Sequence, residues 1–387
     1  MSDERGKTGN AMKILYIGKS QFDNATGGEI SAKLLVERLS LNHSVMALSL
    51  GEDNHDIKGN IRHRIIKAPL MLKKRWLPYH LREYLRDVYF ENKIKALLKT
   101  ITPDMVICQC IAINPVIFSK KVKSIYFIRS CEDYGLSEGC DIPERPYSRW
   151  YNFPFVKVRK RKGVRVLKNA DLLISNSLFM KQYLLKKDLS SVVVYPFINL
   201  DQYRYKEPKK HDQSKKSYIT FINPFPKKGV RIALAIAKAL PGKVFLFVGR
   251  SKNIPLKILA EIKSLKNVML IEWVQDMREV YRKTRVVIMP SIWAEAFGRI
   301  PIEAGINGIP TIASNRGGTR ESVGKEGLII EDLYNINHWI EAIKALDQQE
   351  QYDKYADYVR ENARHFNFKH TYNAFKARVR EKLKITL

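Results

Sequence analysis

Two glutamates stand eight positions apart in SIWAEAFGRIPIEAGINGIP, residues 291–310: Glu295 and Glu303 flank a glycine, an arginine and a proline. Buried carboxylates are costly unless paired, and solvated ones do not need apolar neighbours, so neither a plain core nor a plain surface accounts for them. Pro301 suits the first turn of a helix, and Asn307-Gly308 suits its end. A helix starting near Gly298 would present free N–H groups that favour a phosphate. Glu303, in its first turn, could then reach a neighbouring diol, and Glu295, in the preceding loop, a second set of hydroxyls. Glycosidases also use two carboxylates, as acid and nucleophile; two glutamates at a phosphate-binding helix do not fit that chemistry. GKS at 18–20 is not a P-loop, because Lys13 stands where the motif needs glycine, and the spacing of GTRESVGK is wrong, with Glu326 in place of Ser/Thr.

The surrounding pattern supplies elements to hold these residues. Short apolar runs at 12–18, 43–50, 103–110, 123–130 and 171–177 predict strands, and the spacing over 29–41 predicts a helix after a loop containing Gly27-Gly28. The polar stretch 199–217 reads as a linker or domain edge. The alternation then restarts, with strands at 217–223, 243–249, 267–273, 285–290 and 311–314 and helices at 229–240, 278–284 and 300–307. Strands alternating with helices argue for parallel, doubly wound sheets, here two in succession. In such sheets ligands bind beyond the carboxyl ends of the strands, which is where 291–298 falls. Residues 366–384 read as a terminal helix, and 1–11 as a disordered tail.

The chain has 387 residues, which fits two domains. Its 68 Lys+Arg against 39 Asp+Glu give a net charge of +29, so anionic partners are expected. Cys108, Cys110, Cys131 and Cys140 match neither a disulfide framework nor zinc spacing, so reduced thiols and no metal are expected. No apolar run approaches the ~20 residues that span a bilayer.

Glu295 and Glu303 match the E-x7-E motif of retaining glycosyltransferase family 4, the glycosyl transferases group 1, and PSIWAEAFGRIPIEAGINGIPTIASNRGGTRESVG resembles that family's most recognisable block. NPFPKKGV (223–230), NVMLIEWVQDMREVY (267–281), ADLLISNS (170–177) and the terminal FNFKHTYNAF resemble its other landmarks, in order. The resemblance covers nearly all of the chain after residue 12. It implies an α/β GT-B fold: two Rossmann-like domains facing across a cleft, at 12–199 and 200–364, with the helix at 365–387 crossing back to the first. It implies a retaining, metal-independent transferase with no cofactor, whose donor is a nucleoside-diphosphate sugar. Glu303 would hold the ribose, while Glu295 and the backbone of Ala296, Phe297 and Gly298, with Ile300 beside them, would meet the donor sugar. Lys228 would neutralise the diphosphate, and Gly229 would let the backbone approach closely. Gly27 and Gly28 would face the donor phosphates, and Trp273 and Val274 would line the base.

Two positions depart from the family pattern. Asn223 stands about where an arginine usually accompanies Lys228, so Arg299 is the first candidate to replace that cation, with Lys227 and Arg250 behind it. The first domain lacks the usual histidine after SIYFIRSCEDYG and offers Arg129, Glu132 and Asp133 instead. Residues 156–168 carry seven cations and no acid, and 62–86 mix eight cations with Trp76, Leu70, Met71 and Leu72. Such clusters suit an anionic membrane surface, and so a lipid-linked acceptor in polysaccharide, lipopolysaccharide or glycolipid assembly on the cytoplasmic face. The alternatives are a catalytically inactive GT-B scaffold, or a basic protein that binds nucleic-acid backbones without specificity.

Overall fold

A computed structural model describes residues 11–18, 27–51, 61–67, 69, 77–109, 113–130, 132–136, 153–205 and 217–387. They fall into two compact units: one takes in the described residues up to Phe197 together with Lys369–Leu387, the other Ile198–Phe368. Residues 1–10 of the expected tail at 1–11, the middle of the 62–86 segment, Cys110, Cys131 and Cys140 lie outside the described residues.

The first unit runs β1 (Lys13–Gly18), α1 (Gly27–Leu39), β2 (Ser44–Gly51), β3 (Ile61–Lys67), α2 (Tyr79–Leu97), β4 (Met105–Gln109), β5 (Lys123–Ile128), α3 (Phe153–Lys168), β6 (Leu172–Ser175), α4 (Leu178–Leu185) and β7 (Val192–Val193). Its sheet has the order β3-β2-β1-β4-β5-β6-β7, with every pair parallel. β4 is buried along its whole length, as a strand covered on both faces must be, and so reads as an unbroken apolar run. β3 was not expected. Its IRHRIIK alternates, with Arg62 and Arg64 outward and His63 inward, 2.8 Å from the Ser49 hydroxyl. As the sheet's outermost strand it has one neighbour, and its basic residues hide its apolar face from a reading of composition.

The second unit runs β8 (Tyr218–Ile222), α5 (Val230–Ala239), β9 (Val244–Val248), α6 (Leu256–Ser264), β10 (Val268–Ile271), α7 (Arg278–Lys283), β11 (Thr284–Met289), α8 (Ile300–Gly305), β12 (Thr311–Ser314), α9 (Thr319–Val323), β13 (Leu328–Ile330), α10 (Ile336–Ala345) and α11 (Gln349–Arg364). The parallel sheet order is β10-β9-β8-β11-β12-β13. Phe221 and Phe247 meet edge to face at 5.1 Å in its core, beside the fully buried Trp339, whose indole N–H is satisfied by the Leu333 carbonyl at 3.0 Å. The last helix, α12 (Phe368–Leu383), places Phe375 between Phe127 and Phe197 of the first unit, at ring separations of 5.9 and 6.0 Å.

Two expectations change. Gly27 and Gly28 open α1 itself instead of sitting in a loop before it. The polar stretch 199–217 is not all linker: Leu200, Tyr203 and Tyr205 are buried in the second unit, and residues 206–216 lie outside the described residues. The aromatic residues alternate with charged ones there, so overall polarity conceals them.

Candidate functional site

In the second sheet the chain reverses its winding between β8 and β11, and loops leaving the carboxyl ends of those two strands flank a natural ligand crevice. The loop after β8 is a short 3-10 turn, Pro226–Lys228, ended by Gly229 at φ +81°. The loop after β11 is joined to it, since the Ile292 and Trp293 N–H groups both donate to the Lys227 carbonyl at 3.1 Å. A Cβ on Gly229 would lie 1.8 Å from the Pro290 carbonyl oxygen, so this glycine lets the two loops touch. The absence of a Cβ at this position is therefore used by a contact within the protein's own backbone.

That junction brings Lys228 to Glu295. The ammonium lies 2.5 Å from Oε1, and the Ser291 hydroxyl donates to the same oxygen at 2.6 Å. Glu295 is only 9% exposed. Burial pushes its carboxyl up, but the Lys228 charge, the hydrogen bonds from Lys228 and Ser291, and Lys227 together hold it below its ordinary value. Lys227 itself lies over the Trp293 ring, 5.0 Å from the centroid. Behind Glu295 runs the turn at Gly317-Gly318. Glu295 bridges to Gly317, and the Gly318 N–H donates to the Glu295 carbonyl at 2.6 Å. A Cβ at Gly317, where φ is +68°, would fall 2.2 Å from that carbonyl oxygen. Ser291 and this glycine pair fall inside the block that resembles the family, but the sequence reading gave none of them a role.

Glu303 lies in the first turn of α8, which spans six residues and begins after Arg299. The structure brings Arg299 to it: Nε is 3.1 Å from Glu303 Oε1, while Nη2 donates to the Tyr203 hydroxyl at 3.0 Å. The Tyr281 hydroxyl donates to Glu303 Oε2 at 3.2 Å. Burial, first, and then the Glu303 charge raise both phenols, with Arg299 opposing. Asn307 fixes the tyrosine from behind. Its side-chain amide donates to the Tyr203 carbonyl at 2.9 Å and accepts from the Tyr205 N–H at 3.1 Å. A sequence read for charge alone gives no reason to select Tyr203, Tyr281 or Asn307.

The remaining second-unit positions divide. Ala296 and Phe297 are buried, with Phe297 packed on Phe366 at 5.2 Å, so a ligand there meets backbone and not side chain. Gly298 turns with φ +82°, and Ile300 packs against Met289, Ala313 and Val323. Asn223 occupies the left-handed region at φ +61°, where asparagine is favoured, and its N–H is bonded to the Val248 carbonyl at 2.7 Å. Trp273 and Val274 lie half-buried beyond the carboxyl end of β10, and Arg250 is exposed beyond β9.

In the first unit, the Gly28 carbonyl accepts from the Gln109 side chain at 3.1 Å, which ties the start of α1 to the end of β4. Arg129, just past β5, is buried. It donates to the Ser31 hydroxyl at 2.7 Å and lies 5.0 Å from the Phe127 ring. Asp133 begins a 3-10 turn, Asp133–Gly135, that packs on α3. The basic run 156–168 falls on α3 and is not one solvated face. Arg159 is buried, and Lys162 reaches Glu91 at 3.5 Å and the Tyr84 ring at 5.3 Å. Lys157, Arg161, Arg165 and Lys168 share the exposed side with Val158. Among the described residues no group of three or more His, Cys, Asp or Glu could hold a metal ion, and no helix is long and apolar enough to cross a membrane.

Two parallel doubly wound sheets in succession give the α/β architecture of the GT-B fold. The chain superposes on sucrose-phosphate synthase from Thermosynechococcus elongatus with a TM-score of 0.78 at 17% identity, covering 96% of this chain and 99% of that one. It superposes on Anabaena HepE in complex with UDP-glucose with a TM-score of 0.69 at 15% identity, over 96% and 99%. Residues 202–366 match the model of the glycosyl transferases group 1. Spore coat protein SA of Bacillus subtilis (strain 168) is 30% identical over 166 residues, which are 38% of this chain and 44% of that protein. The match thus spans less than half of that relative's length.

Proposed function

We propose that the protein is a retaining glycosyltransferase that moves a sugar from a nucleoside-diphosphate sugar to an acceptor hydroxyl, without a metal ion. The observation that carries this reading is the Lys228–Glu295 pair, held at the turning point of the second sheet inside the segment that matches the group 1 family. Lys228 leaves the carboxylate for the donor diphosphate and stabilises the charge that grows on it as the sugar departs. Glu295, freed of the ammonium and still held by Ser291, accepts hydrogen bonds from the sugar's hydroxyls, and Glu303 accepts them from the ribose. The departing phosphate takes the acceptor's proton as the new bond forms on the same face of the sugar. Positioning and phosphate electrostatics do most of the chemistry.

The test is thermal unfolding with UDP-, GDP- and ADP-linked sugars, on the native protein and on Glu303→Ala. A donor at 100 times its dissociation constant adds about 2.7 kcal/mol of stability. One nucleotide class is expected to shift the native protein and not the variant; no shift with any donor overturns the reading. Transfer that persists in excess EDTA supports the metal-independent part, and EDTA inhibition reversed by a divalent ion refutes it.

For the acceptor, the reading is a lipid-linked sugar on the cytoplasmic face of the membrane, in the assembly of a surface polysaccharide or glycolipid. The exposed stripe Lys157, Arg161, Arg165 and Lys168 on α3, with Val158 beside it, supports this. At about 1 kcal/mol per cation near an anionic surface, four outward cations suffice for reversible attachment. Sedimentation with phosphatidylglycerol vesicles is expected to fall when all four become glutamine, with turnover on a soluble acceptor unchanged. Equal sedimentation of the two proteins removes the membrane from the reading.

A further inference from the structure

Glu303 is held by two groups, and a third backs one of them. Arg299 approaches Oε1 at 3.1 Å, Tyr281 donates to Oε2 at 3.2 Å, and Tyr203 sits against Arg299 at 3.0 Å. The side chains of Arg299 and Glu303 are 10% and 12% exposed, Tyr203 is 8% exposed and Tyr281 fully buried, so these contacts are made largely out of water. The groups come from four places in the chain: the segment before β8, α7, the residue before α8, and α8 itself. Asn307, one turn beyond Glu303, bonds the backbone on either side of Arg204 and so ties the Tyr203 segment to the helix that carries the glutamate. A carboxylate on a short surface helix needs no such support if it only meets solvent.

We propose that Tyr203, Tyr281 and Arg299 are positioning residues that fix the Glu303 carboxylate in one orientation for reading a ribose hydroxyl. The inference rests on the nucleotide-sugar reading and deepens it. It also gives Arg299 a role other than phosphate ligand. An ionised carboxylate has about four acceptor directions. The brace engages one direction on each oxygen and fixes the others, so the hydroxyl that binds is chosen by orientation and not by charge alone. Neither phenol touches the ligand; each acts through Glu303.

The experiment measures binding of the tightest-binding nucleoside diphosphate, and of its 2′-deoxy and 3′-deoxy forms, by calorimetry. The proteins are the native chain, Tyr203→Phe, Tyr281→Phe and Glu303→Gln, each first shown by thermal unfolding to be folded. The native protein is expected to prefer the ribo form over at least one deoxy form by about tenfold or more. Either phenylalanine variant should narrow that preference several-fold and leave affinity for the deoxy form nearly unchanged, while Glu303→Gln abolishes the preference. If the phenylalanine variants keep the preference, or lose ribo and deoxy affinity equally, the tyrosines are only structural and the proposal is overturned. If nucleotide binds but the native protein shows no preference, the proposal also falls and the donor reading stands. If no nucleoside diphosphate binds the native protein, both fall together.

Discussion

The two units share the order of six strands, the first adding a seventh at one edge, and differ in what the described residues place where the winding reverses. Between β8 and β11 the second unit sets an ion pair, Lys228 on Glu295, braced by Ser291 and by the backbone of Gly317 and Gly318. Among the described residues at the corresponding place between β1 and β4, the first unit has a neutral contact, Gln109 on the Gly28 carbonyl, and a buried cation, Arg129, stands just past β5 beside the Ser31 hydroxyl. Among the described residues, the same backbone plan therefore carries different electrostatics in the two units. A fold determines where ligands can approach, and the side chains at that place determine which.

Breaking the charged half of this comparison should have the largest effect. Glu295→Ala is expected to lower kcat/KM by at least about 10²-fold, the scale seen when a transition-state electrostatic contact is removed. It should also cost about 3 kcal/mol in chemical denaturation, because a half-buried ammonium is left unpaired. An unchanged kcat/KM would remove Glu295 from the site. Gly317→Ala comes next. Its Cβ would meet the Glu295 carbonyl at a left-handed φ, so a loss of about 2 kcal/mol in urea unfolding is expected, with weakened donor binding. Stability equal to the native protein would mean that the turn moves freely of Glu295.

Arg129→Met sharpens the comparison from the other unit. Donor binding, measured by thermal shift, should stay as in the native protein, while turnover with acceptor falls several-fold. A lost donor shift would place Arg129 in donor recognition. The smallest effect is in pH. The Glu295 carboxyl is depressed in the folded state, so it contributes stability that is present above the unfolded value of about 4.3 and is lost as pH falls through the folded one. The stability gap between the native protein and Glu295→Gln should therefore be widest above about pH 5 and close under acid. A gap that grows as pH falls would contradict the ion pair.

Much of this was legible beforehand because it is periodic or chemically sparse. Apolar runs such as MVICQ and TIAS are strands in any context that buries both faces, and two carboxylates in an apolar stretch stand out by their cost. What escaped was either disguised by charge or made by distant contacts. β3 reads as part of a basic segment until its alternation is set beside β2. The seven cations of 156–168 look alike in sequence, yet packing of α3 against α2 turns Lys162 inward, while Arg159 is buried.

The amino-acid order by itself determined the two doubly wound halves and singled out Glu295 and Glu303 by their apolar surroundings, while Lys228 was selected through the resemblance to a family pattern. Hydrophobic period and the scarcity of buried charge are local properties, and a single chain states them openly. Only the tertiary structure decided which groups those charges meet: Lys228 on Glu295, a glycine turn beneath it, and Tyr203, nearly a hundred residues away, on Arg299 beside Glu303. Those partners come together because two loops cross at a strand-order reversal and because Asn307 draws the 203–205 segment onto α8. No spacing along the chain encodes a meeting between residues that only folding makes neighbours.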